Sequence, residues 1–358
     1  MSFPPFLVMA ILSLSLAASG CGGGGSGSAS TTVTGYSTTL ASLIGHNQEL
    51  AGRLGRQDWG GSGDQSTILG KVAEGWTMVV DFLPEKAGCG YVNCTPGQDV
   101  LQDYLNDMVN NGASTIHQAA LDDALNTLKS STDSIVLQLG NEIYSSSRQA
   151  NWETFFGPLT QDEWMADYVE YWFAPFIEQV MQYEAANGVD FKLFLGSIGN
   201  AGNSDNTQKL LDTWNYVIQG WAAPTLAGAR LGDLLDCATG NYLLSNQSDY
   251  LNIMNTIFGA TGCYWATEEI GRARSDAGIA YPEMNKVIGR FLDVKFSRNL
   301  GDDAFRILAW ETGSDAARAI DDFLTAVGSA AVTGVSTQDG RNFTVSLNNG
   351  GLVNLVAD

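Results

Sequence analysis

The chain has 358 residues, of which 44% are apolar and 16% are charged, and its formal net charge is −21. This apolar content is sufficient for a buried core, which excludes an intrinsically disordered chain. A surface of such negative charge repels the phosphates of nucleic acids, which excludes DNA and RNA as main partners. It disfavours anionic substrates more weakly, because a local basic pocket can override the average.

Residues 1–21 are predicted to be an export signal. The apolar stretch ends at Ala18, is too short to span a bilayer comfortably and is followed by small residues. Small residues directly before Cys21 resemble a bacterial lipobox, although no Lys or Arg precedes the stretch. We therefore expect a lipidated Cys21 and a Gly/Ser-rich tether over residues 22–34, which anchor an exported protein at the cell envelope or outer membrane. The alternative is an ordinary signal peptide cut nearby, and a secreted protein.

The other four cysteines fit an oxidising compartment, where disulfides persist. Cys89 and Cys94 flank a short loop and are predicted to pair. Cys237 and Cys263 fall on predicted strands and are either a second bridge or two buried thiols. With two histidines in the chain and no Cys-x-x-Cys motif, we predict no metal site.

Strand and helix patterns alternate through residues 35–328. The predicted strands cover residues 40–45, 77–82, 114–118, 134–139, 191–197, 234–243, 262–269 and 305–310. Such alternation indicates an α/β protein with a parallel sheet, and eight repeats over about 290 residues favour a (β/α)8 TIM barrel. No glycine-rich phosphate motif follows the first strand, which argues against a dinucleotide-binding fold.

Helix boundaries are predicted from apolar spacing and capping residues. A helix that starts at Pro96 places its apolar residues on one face and stops at Gly112. Thr160 and Glu163 have the spacing of a capping box. Pro175 is expected to kink the helix that follows.

Residues 329–358 are predicted to form a small β extension. Strands at residues 332–338 and 341–347 flank a tight turn at Asp339 and Gly340, and a third strand covers residues 352–356. Three short strands are too few to fold alone. We expect them either to pair with the strand-like residues 31–36 or to cap the barrel.

Two of the predicted strands deliver a carboxylic acid to their carboxyl ends. One runs through Leu139 into Gly140, Asn141 and Glu142, and the other carries Glu269. In a parallel barrel these ends meet in one site. Paired carboxyl groups are the catalytic groups of glycoside hydrolysis, in which one acid protonates the leaving oxygen and an ionised partner attacks the anomeric carbon.

These residues resemble clan A of the glycoside hydrolases, which are retaining (β/α)8 enzymes, over about residues 40–328. In that clan an Asn-Glu pair ends strand four and a second Glu ends strand seven. The resemblance implies that Glu142 is the acid/base, that Glu269 is the nucleophile and that Asn141 binds the sugar 2-hydroxyl. It implies no cofactor.

Further matches to the clan lie on the later strands. The clan often places its nucleophile two residues before a Gly, and Gly271 therefore selects Glu269 over Glu268. Tyr242 is similar to the Tyr of the clan's His-x-Tyr motif, which hydrogen-bonds the nucleophile, although Gly replaces the His here. Trp310 ends predicted strand eight, where the clan commonly places a Trp as a sugar platform.

Polar residues at other strand ends are candidate sugar contacts. His46 and Asn47 end predicted strand one, and His117 lies near the end of predicted strand three. Each has the alternative of a buried polar residue with its own partners. Trp59, in the predicted loop at residues 53–64, is a weaker candidate for stacking on a sugar.

The sequence thus predicts an exported retaining glycoside hydrolase whose partner is a β-linked poly- or oligosaccharide. Its contact with the membrane is expected through the N-terminal lipid alone. The alternative from another class is a non-catalytic glycan-binding lipoprotein on the same barrel. An inverting or transglycosylating enzyme on this scaffold is a further possibility.

Overall fold

The structure, a computed structural model, describes residues 53–92, 94, 99–141, 143, 145–196, 230–241, 263–270, 280–299, 305–309 and 314–357. The predicted signal, tether and first strand at residues 40–45 lie outside this part of the chain. Among the described residues, no helix has the length and apolar character needed to cross a membrane.

Parallel strands dominate the described chain, which is a mixed α/β protein. A four-stranded sheet has the order β1 (Arg53–Asp58), β2 (Trp76–Phe82), β3 (Ile135–Leu139), β4 (Lys192–Leu195). A second parallel sheet has the order β5 (Ala238–Asn241), β6 (Tyr264–Ile270), β7 (Phe305–Ala309). A parallel bridge between Phe194 and Cys237 joins β4 to the residue before β5, so the seven strands follow in chain order. Within the described residues no pairing joins β7 to β1, and barrel closure stays a prediction.

Helices separate many of the described strands along the chain. They are α1 (Ser62–Ala73), α2 (Val100–Asn111), α3 (Thr115–Leu128), α4 (Ser146–Phe156), α5 (Gln161–Tyr168), α6 (Ala174–Asn187), α7 (Tyr281–Ser297) and α8 (Ser314–Val327). Helices α1 to α6 lie between β1 and β4, and α7 lies between β6 and β7. Parallel neighbouring strands need crossover connections of this kind.

The first sheet is buried on both faces. Met78, Val80 and Phe82 of β2 belong to the main core, which they share with the helices. Val79 and Val136, on the opposite face, belong to a separate cluster with Phe194, Cys237 and Cys263. Burial of both faces explains why β2 and β3 read as nearly continuous apolar runs in the sequence.

Both cysteine pairs are bridged. Cys89 and Cys94 form a disulfide with their Cα atoms 5.5 Å apart, after the 3-10 turn that follows β2. Cys237 and Cys263 form another, with Cα atoms 5.1 Å apart. The second bridge ties together the residues that directly precede β5 and β6, so these two cysteines are not free thiols.

Capping residues fix the helix ends. The side chain of Asp99 accepts a hydrogen bond from the amide of Gln102 and begins α2, which ends at Gly112 with φ +72°. Thr160 and Glu163 form the predicted capping box at the start of α5. A π-helical segment, Val169–Phe173, lies between α5 and α6, and Pro175, at which a kink is predicted, stands in the first turn of α6.

Two predictions about the early strands are wrong. Residues 114–118 begin helix α3, where the side chain of Ser114 caps the amide of His117. Residues 53–58, predicted as loop, form β1 and pair in parallel with β2. The first error removes one predicted strand and the second adds one. The described residues therefore contain seven parallel strands, and an eighth depends on the prediction at residues 40–45.

The carboxyl-terminal residues form the predicted small antiparallel sheet. Its strands are β8 (Val332–Thr337), β9 (Phe343–Leu347) and β10 (Leu352–Leu355). In the turn, the carboxylate of Asp339 accepts hydrogen bonds from two backbone amides, and Gly340 has φ +66°. Phe343 packs onto α7 at Gly289, where a Cβ would lie 2.1 Å from the phenyl ring. Residues 31–36, the predicted pairing partner, lie outside the described residues.

Candidate functional site

The two predicted acidic positions belong to the carboxyl ends of parallel strands. Gly140 and Asn141 directly follow β3, and Glu142, the next residue, lies outside the described residues. Glu269 is the penultimate residue of β6, whose backbone the structure describes. Because β3 and β6 belong to one run of parallel strands, these carboxyl ends lie at the same edge of the sheet.

The backbone of β6 is irregular at its acidic residues. Its register with β7 shifts between Ala266 and Ile270, and Glu268 pairs with Asn241 of β5 where that register also shifts. Irregularities of this kind interrupt the alternation of side chains and are common beside active sites. Alternation along the strand therefore does not select between Glu268 and Glu269, and Glu269 as nucleophile stays a prediction.

The corner after β3 is held by close packing around Gly140. Gly140 has φ +89°, and a Cβ there would lie 2.5 Å from the hydroxyl oxygen of Tyr168. A Cβ on Gly196, after β4, would lie 2.3 Å from the carbonyl oxygen of Leu139 and 2.7 Å from that of Gly140. The side chain of Gln138 donates a hydrogen bond to the Gly140 carbonyl at 3.1 Å. The chain can turn here only because both positions lack a side chain.

The side chain of Asn141 projects a usable acceptor from this corner. Its Oδ1 is buried, and within the described part of the chain it has no hydrogen-bond partner. A buried amide oxygen normally has a partner, and this one is therefore suited to accept a hydrogen bond from a bound hydroxyl group. The resemblance gives Asn141 that role toward a sugar.

Ion pairs neutralise the other acids at this edge. Asp81 of β2 is completely buried, and its carboxylate lies 2.5 Å from the guanidinium of Arg56 on β1. Asp58, at the end of β1, is 3.0 Å from the ammonium of Lys86. A buried pair such as Arg56 with Asp81 strongly destabilises the fold when one partner is removed, because the other charge is left uncompensated.

A further ion pair flanks the corner. Arg148, in the first turn of α4, contacts the carboxylate of Glu85, in the turn after β2. Burial alone would lower the pKa of Arg148, but the charge and hydrogen bond of Glu85, together with Tyr168 and Asp81, outweigh it and the pKa is raised. The guanidinium therefore stays charged, and the pair links the start of α4 to the turn after β2.

His117 is buried inside the helical layer, away from a strand end. Its Nδ1 lies 2.8 Å from the hydroxyl of Tyr91, and its ring contacts those of Tyr104, Trp172 and Phe176. It is 1% exposed, and burial lowers its pKa to about 3. His117 is therefore the buried polar residue of the alternative prediction, and not a sugar contact at a strand end.

Trp59 is a core residue. It is 2% exposed, and its ring stacks on Phe82 with centroids 5.9 Å apart. A side chain so buried cannot also offer a face to a sugar ring, so the weaker stacking candidate is wrong. The predicted contacts His46, Asn47, Tyr242 and Trp310, and the predicted lipid site Cys21, lie outside the described residues and stay predictions.

The sequence offered uneven signals for the residues that support the corner. Gln138 is a polar residue within an apolar run, and Gly196 directly follows a predicted strand, so both had a visible signal. Tyr168 and Arg148 lie on helices. The periodicity of a helix in the sequence does not show which strand end its side chains contact, so the sequence carried no signal for either residue. Within the described residues, no group of three or more His, Cys, Asp or Glu residues is arranged to hold a metal ion.

Comparison with known proteins gives no family for this chain. No family model matches it, and no curated protein matches it in sequence. A solved structure of GH10 from Paenibacillus barcinonensis aligns with 73% of this chain and 84% of its own, at 12% sequence identity and a TM-score of 0.35. At that TM-score, the likeness carries no argument about the family or the activity.

Proposed function

We propose that this chain is a retaining glycoside hydrolase that cleaves a β-linked poly- or oligosaccharide. The observation that supports the proposal is that β3, which ends just before Asn141, and β6, which carries Glu269, belong to one run of parallel strands whose carboxyl ends lie at the same edge. That strand order also supports a (β/α)8 barrel, in which such strand ends surround a single site.

The proposed mechanism divides the work between Glu142 and Glu269. Glu269, ionised, attacks the anomeric carbon while Glu142 gives its proton to the departing glycosidic oxygen. Glu142, now ionised, then takes a proton from the water that displaces Glu269. The carboxyl groups of a retaining enzyme lie about 5–5.5 Å apart. The buried Oδ1 of Asn141 accepts a hydrogen bond from the sugar 2-hydroxyl.

A screen for hydrolysis tests the proposal. The purified chain is incubated with β-1,4-xylan, β-1,4-mannan, hydroxyethyl cellulose and β-1,3-glucan, and with 2,4-dinitrophenyl β-glycosides of the same sugars. We expect new reducing ends from at least one glycan, with the β-anomer released first by NMR. Binding without hydrolysis would favour the glycan-binding lipoprotein, and first release of the α-anomer would favour an inverting enzyme.

Substitutions then separate the two roles. Glu269→Ala should abolish turnover of every substrate, because no glycosyl-enzyme forms. Glu142→Ala should spare the first step on the dinitrophenyl glycoside, which needs no proton, and added azide should restore the second step as a β-glycosyl azide. A β-azide from Glu269→Ala would reverse the roles. Loss of activity in Glu268→Ala with full activity in Glu269→Ala would show that the neighbouring residue is the nucleophile.

A further inference from the structure

A polar cleft lies between helices α3 and α6. Its volume is about 650 Å³, which is within the range of sites that bind small molecules. The residues that line it come from the end of α2, from α3 and from α6, and none of them belongs to a strand. The cleft is therefore separate from the candidate site at the carboxyl ends of the strands.

Most side chains of the cleft can form hydrogen bonds without carrying a charge. Five of the lining residues are amides, namely Gln118, Asn126, Gln179, Gln182 and Asn187. An amide has two N–H donors and a carbonyl acceptor, and a sugar hydroxyl group both donates and accepts. The lining thus matches a ligand that carries several hydroxyl groups.

Two carboxylates determine which charge the ligand can have. Asp122 on α3 and Glu178 on α6 both line the cleft, while none of the lining residues is a Lys or an Arg. A phosphate, sulfate or uronic acid would meet two negative charges without a positive one, which disfavours anionic ligands. The hydroxyl groups of a neutral ligand can instead donate to both carboxylates.

His117, one of the most buried residues of the lining, has a ring nitrogen without a partner. The residue is 1% exposed, and its Nδ1 lies 2.8 Å from the hydroxyl of Tyr91. Within the described residues its Nε2 is buried and has no hydrogen-bond partner. The two nitrogens of an imidazole point in different directions, so Nε2 is directed away from Tyr91. Buried polar atoms normally have a partner, and a hydroxyl group can bond to either tautomer of this ring.

Side chains that connect the two helices hold the cleft in shape. The amide nitrogen of Gln179 donates to the carbonyl of Gln118 at 2.6 Å and to the carboxylate of Asp122 at 3.0 Å. The hydroxyl of Tyr183 donates to the amide oxygen of Asn126 at 2.8 Å. The cleft is thus formed before a ligand binds, which lowers the entropy that binding costs.

We infer that this cleft binds a neutral carbohydrate, with the Nε2 of His117 bonded to one of its hydroxyl groups and the amides of Gln118 and Gln182 to others. The inference does not depend on the proposed function, because the cleft contains no residue of a strand end. Its two aromatic rings, those of His117 and Tyr183, are buried, so stacking on a sugar adds little. Binding is therefore weak, with a Kd in the millimolar range, and it adds to any binding at the strand ends when both sites hold one polymer.

The signal of the His117 ring tests the cleft directly, because the chain contains only two histidines. The imidazole nitrogens are observed by NMR in the chain with Glu269→Ala, so that hydrolysis does not consume the ligand, and His117→Gln identifies the signals. The probes are xylohexaose, mannohexaose, cellohexaose and laminarihexaose, with hexagalacturonate as the anionic control. We expect at least one neutral hexaose to shift the Nε2 resonance of His117, and hexagalacturonate to leave it unchanged.

Two neighbouring alanines of α6 provide a matched pair of variants. Ala185 and Ala186 are both exposed, but only Ala186 lines the cleft. Ala186→Trp places an indole in the cleft and should weaken binding about tenfold or more, whereas Ala185→Trp should bind as the parent does. Gln182→Ala removes a hydrogen bond without adding bulk and should weaken binding about threefold to tenfold.

The results separate this inference from the proposed function. No shift of the His117 signal with any neutral hexaose, or a shift that Ala186→Trp leaves unchanged, would overturn the cleft as a carbohydrate site. An equal shift with hexagalacturonate would overturn the neutral class of ligand. A shift that Ala186→Trp removes, in a chain that hydrolyses none of the glycans of the screen, would support the cleft and count against the proposed function.

Discussion

At the scale of single residues, Gly140 allows the corner after β3 to form. It combines a positive φ of +89° with a contact on the hydroxyl of Tyr168. A side chain at this position would therefore strain the backbone and also overlap the hydroxyl of Tyr168. The two contributions can be separated, because Gly157 has φ +85° but nothing within 4 Å of its Cβ position.

We therefore predict that Gly140→Ala destabilises the fold more than Gly157→Ala. Gly157→Ala should cost about 1–3 kcal/mol for the backbone alone. Gly140→Ala should cost about 1–3 kcal/mol more, as overpacking does. Combining it with Tyr168→Phe removes the atom in contact and should recover part of this loss. Urea unfolding of these three variants and of the wild type measures the free energies, and equal losses at Gly140 and Gly157 would contradict the contact.

A second prediction at this scale concerns how the protonation of His117 makes the free energy of unfolding depend on pH. Burial lowers the pKa of His117 in the folded chain from its ordinary value of 6.5 to about 3. Between these values unfolding takes up a proton, so stability is full above about pH 6.5 and falls as the pH decreases toward 3. The slope from one such group is at most about 1.4 kcal/mol per pH unit.

The variant His117→Gln removes this titration. Its free energy of unfolding should be lower than that of the wild type at pH 8, because the variant loses the hydrogen bond between the His117 ring and the hydroxyl of Tyr91. Its decrease between pH 6.5 and pH 4 should be shallower by up to about 1.4 kcal/mol per pH unit. Denaturant unfolding at several pH values measures both slopes. Identical slopes would show that burial does not suppress the protonation of His117.

At the scale of elements, the two disulfides close loops of different length. Cys89 and Cys94 are separated by 5 positions and Cys237 and Cys263 by 26. Loop-closure entropy predicts a stabilisation of about 2 kcal/mol for the short loop and about 3.5 kcal/mol for the long one. Cys237→Ala with Cys263→Ala should therefore lower the midpoint of urea unfolding more than Cys89→Ala with Cys94→Ala. The reverse order would indicate that local packing outweighs chain entropy.

The helices and strands that were predicted correctly are those with a recognisable pattern of apolar residues. β2 and β3 are buried on both faces, and α2 buries Leu101, Tyr104, Leu105 and Met108 on one face, so each has a clear pattern. β1 has the sequence Arg-Leu-Gly-Arg-Gln-Asp, and its strand form comes from pairing with β2, a long-range contact that no local pattern reports. Residues 114–118 are too few for periodicity to separate strand from helix.

The residues of the candidate site differ in the same way in how visible they are in the sequence. Asn141 was visible because it directly follows an apolar strand. Tyr168 was not, because its contact with Gly140 joins two residues that are far apart in the chain and have no shared spacing. Residues that carry chemistry at a strand end are thus accessible to sequence reasoning, while the residues that position them depend on the packing of helices.

At the scale of the whole molecule, the amino-terminal segment predicts how the protein is held in the cell. Small residues before Cys21 and the tether over residues 22–34 motivate the proposal of a lipid anchor. Expressed in a bacterium with its signal, the protein should enter the detergent phase on phase separation, and Cys21→Ser should release or mis-process it. An unmodified mature amino terminus at another residue, read by mass spectrometry, would contradict the anchor.

The contact between Phe343 and Gly289 has a consequence for how the protein is made. A ribosome or an export channel delivers the chain from its amino terminus, so α7 emerges well before the strand that covers it. Until β9 arrives, the notch at Gly289 and the apolar face around it stay open to water and to other chains. Folding around α7 is therefore expected to finish only after β9 has emerged, and a chain stalled before Phe343 should be a substrate for chaperones and proteases.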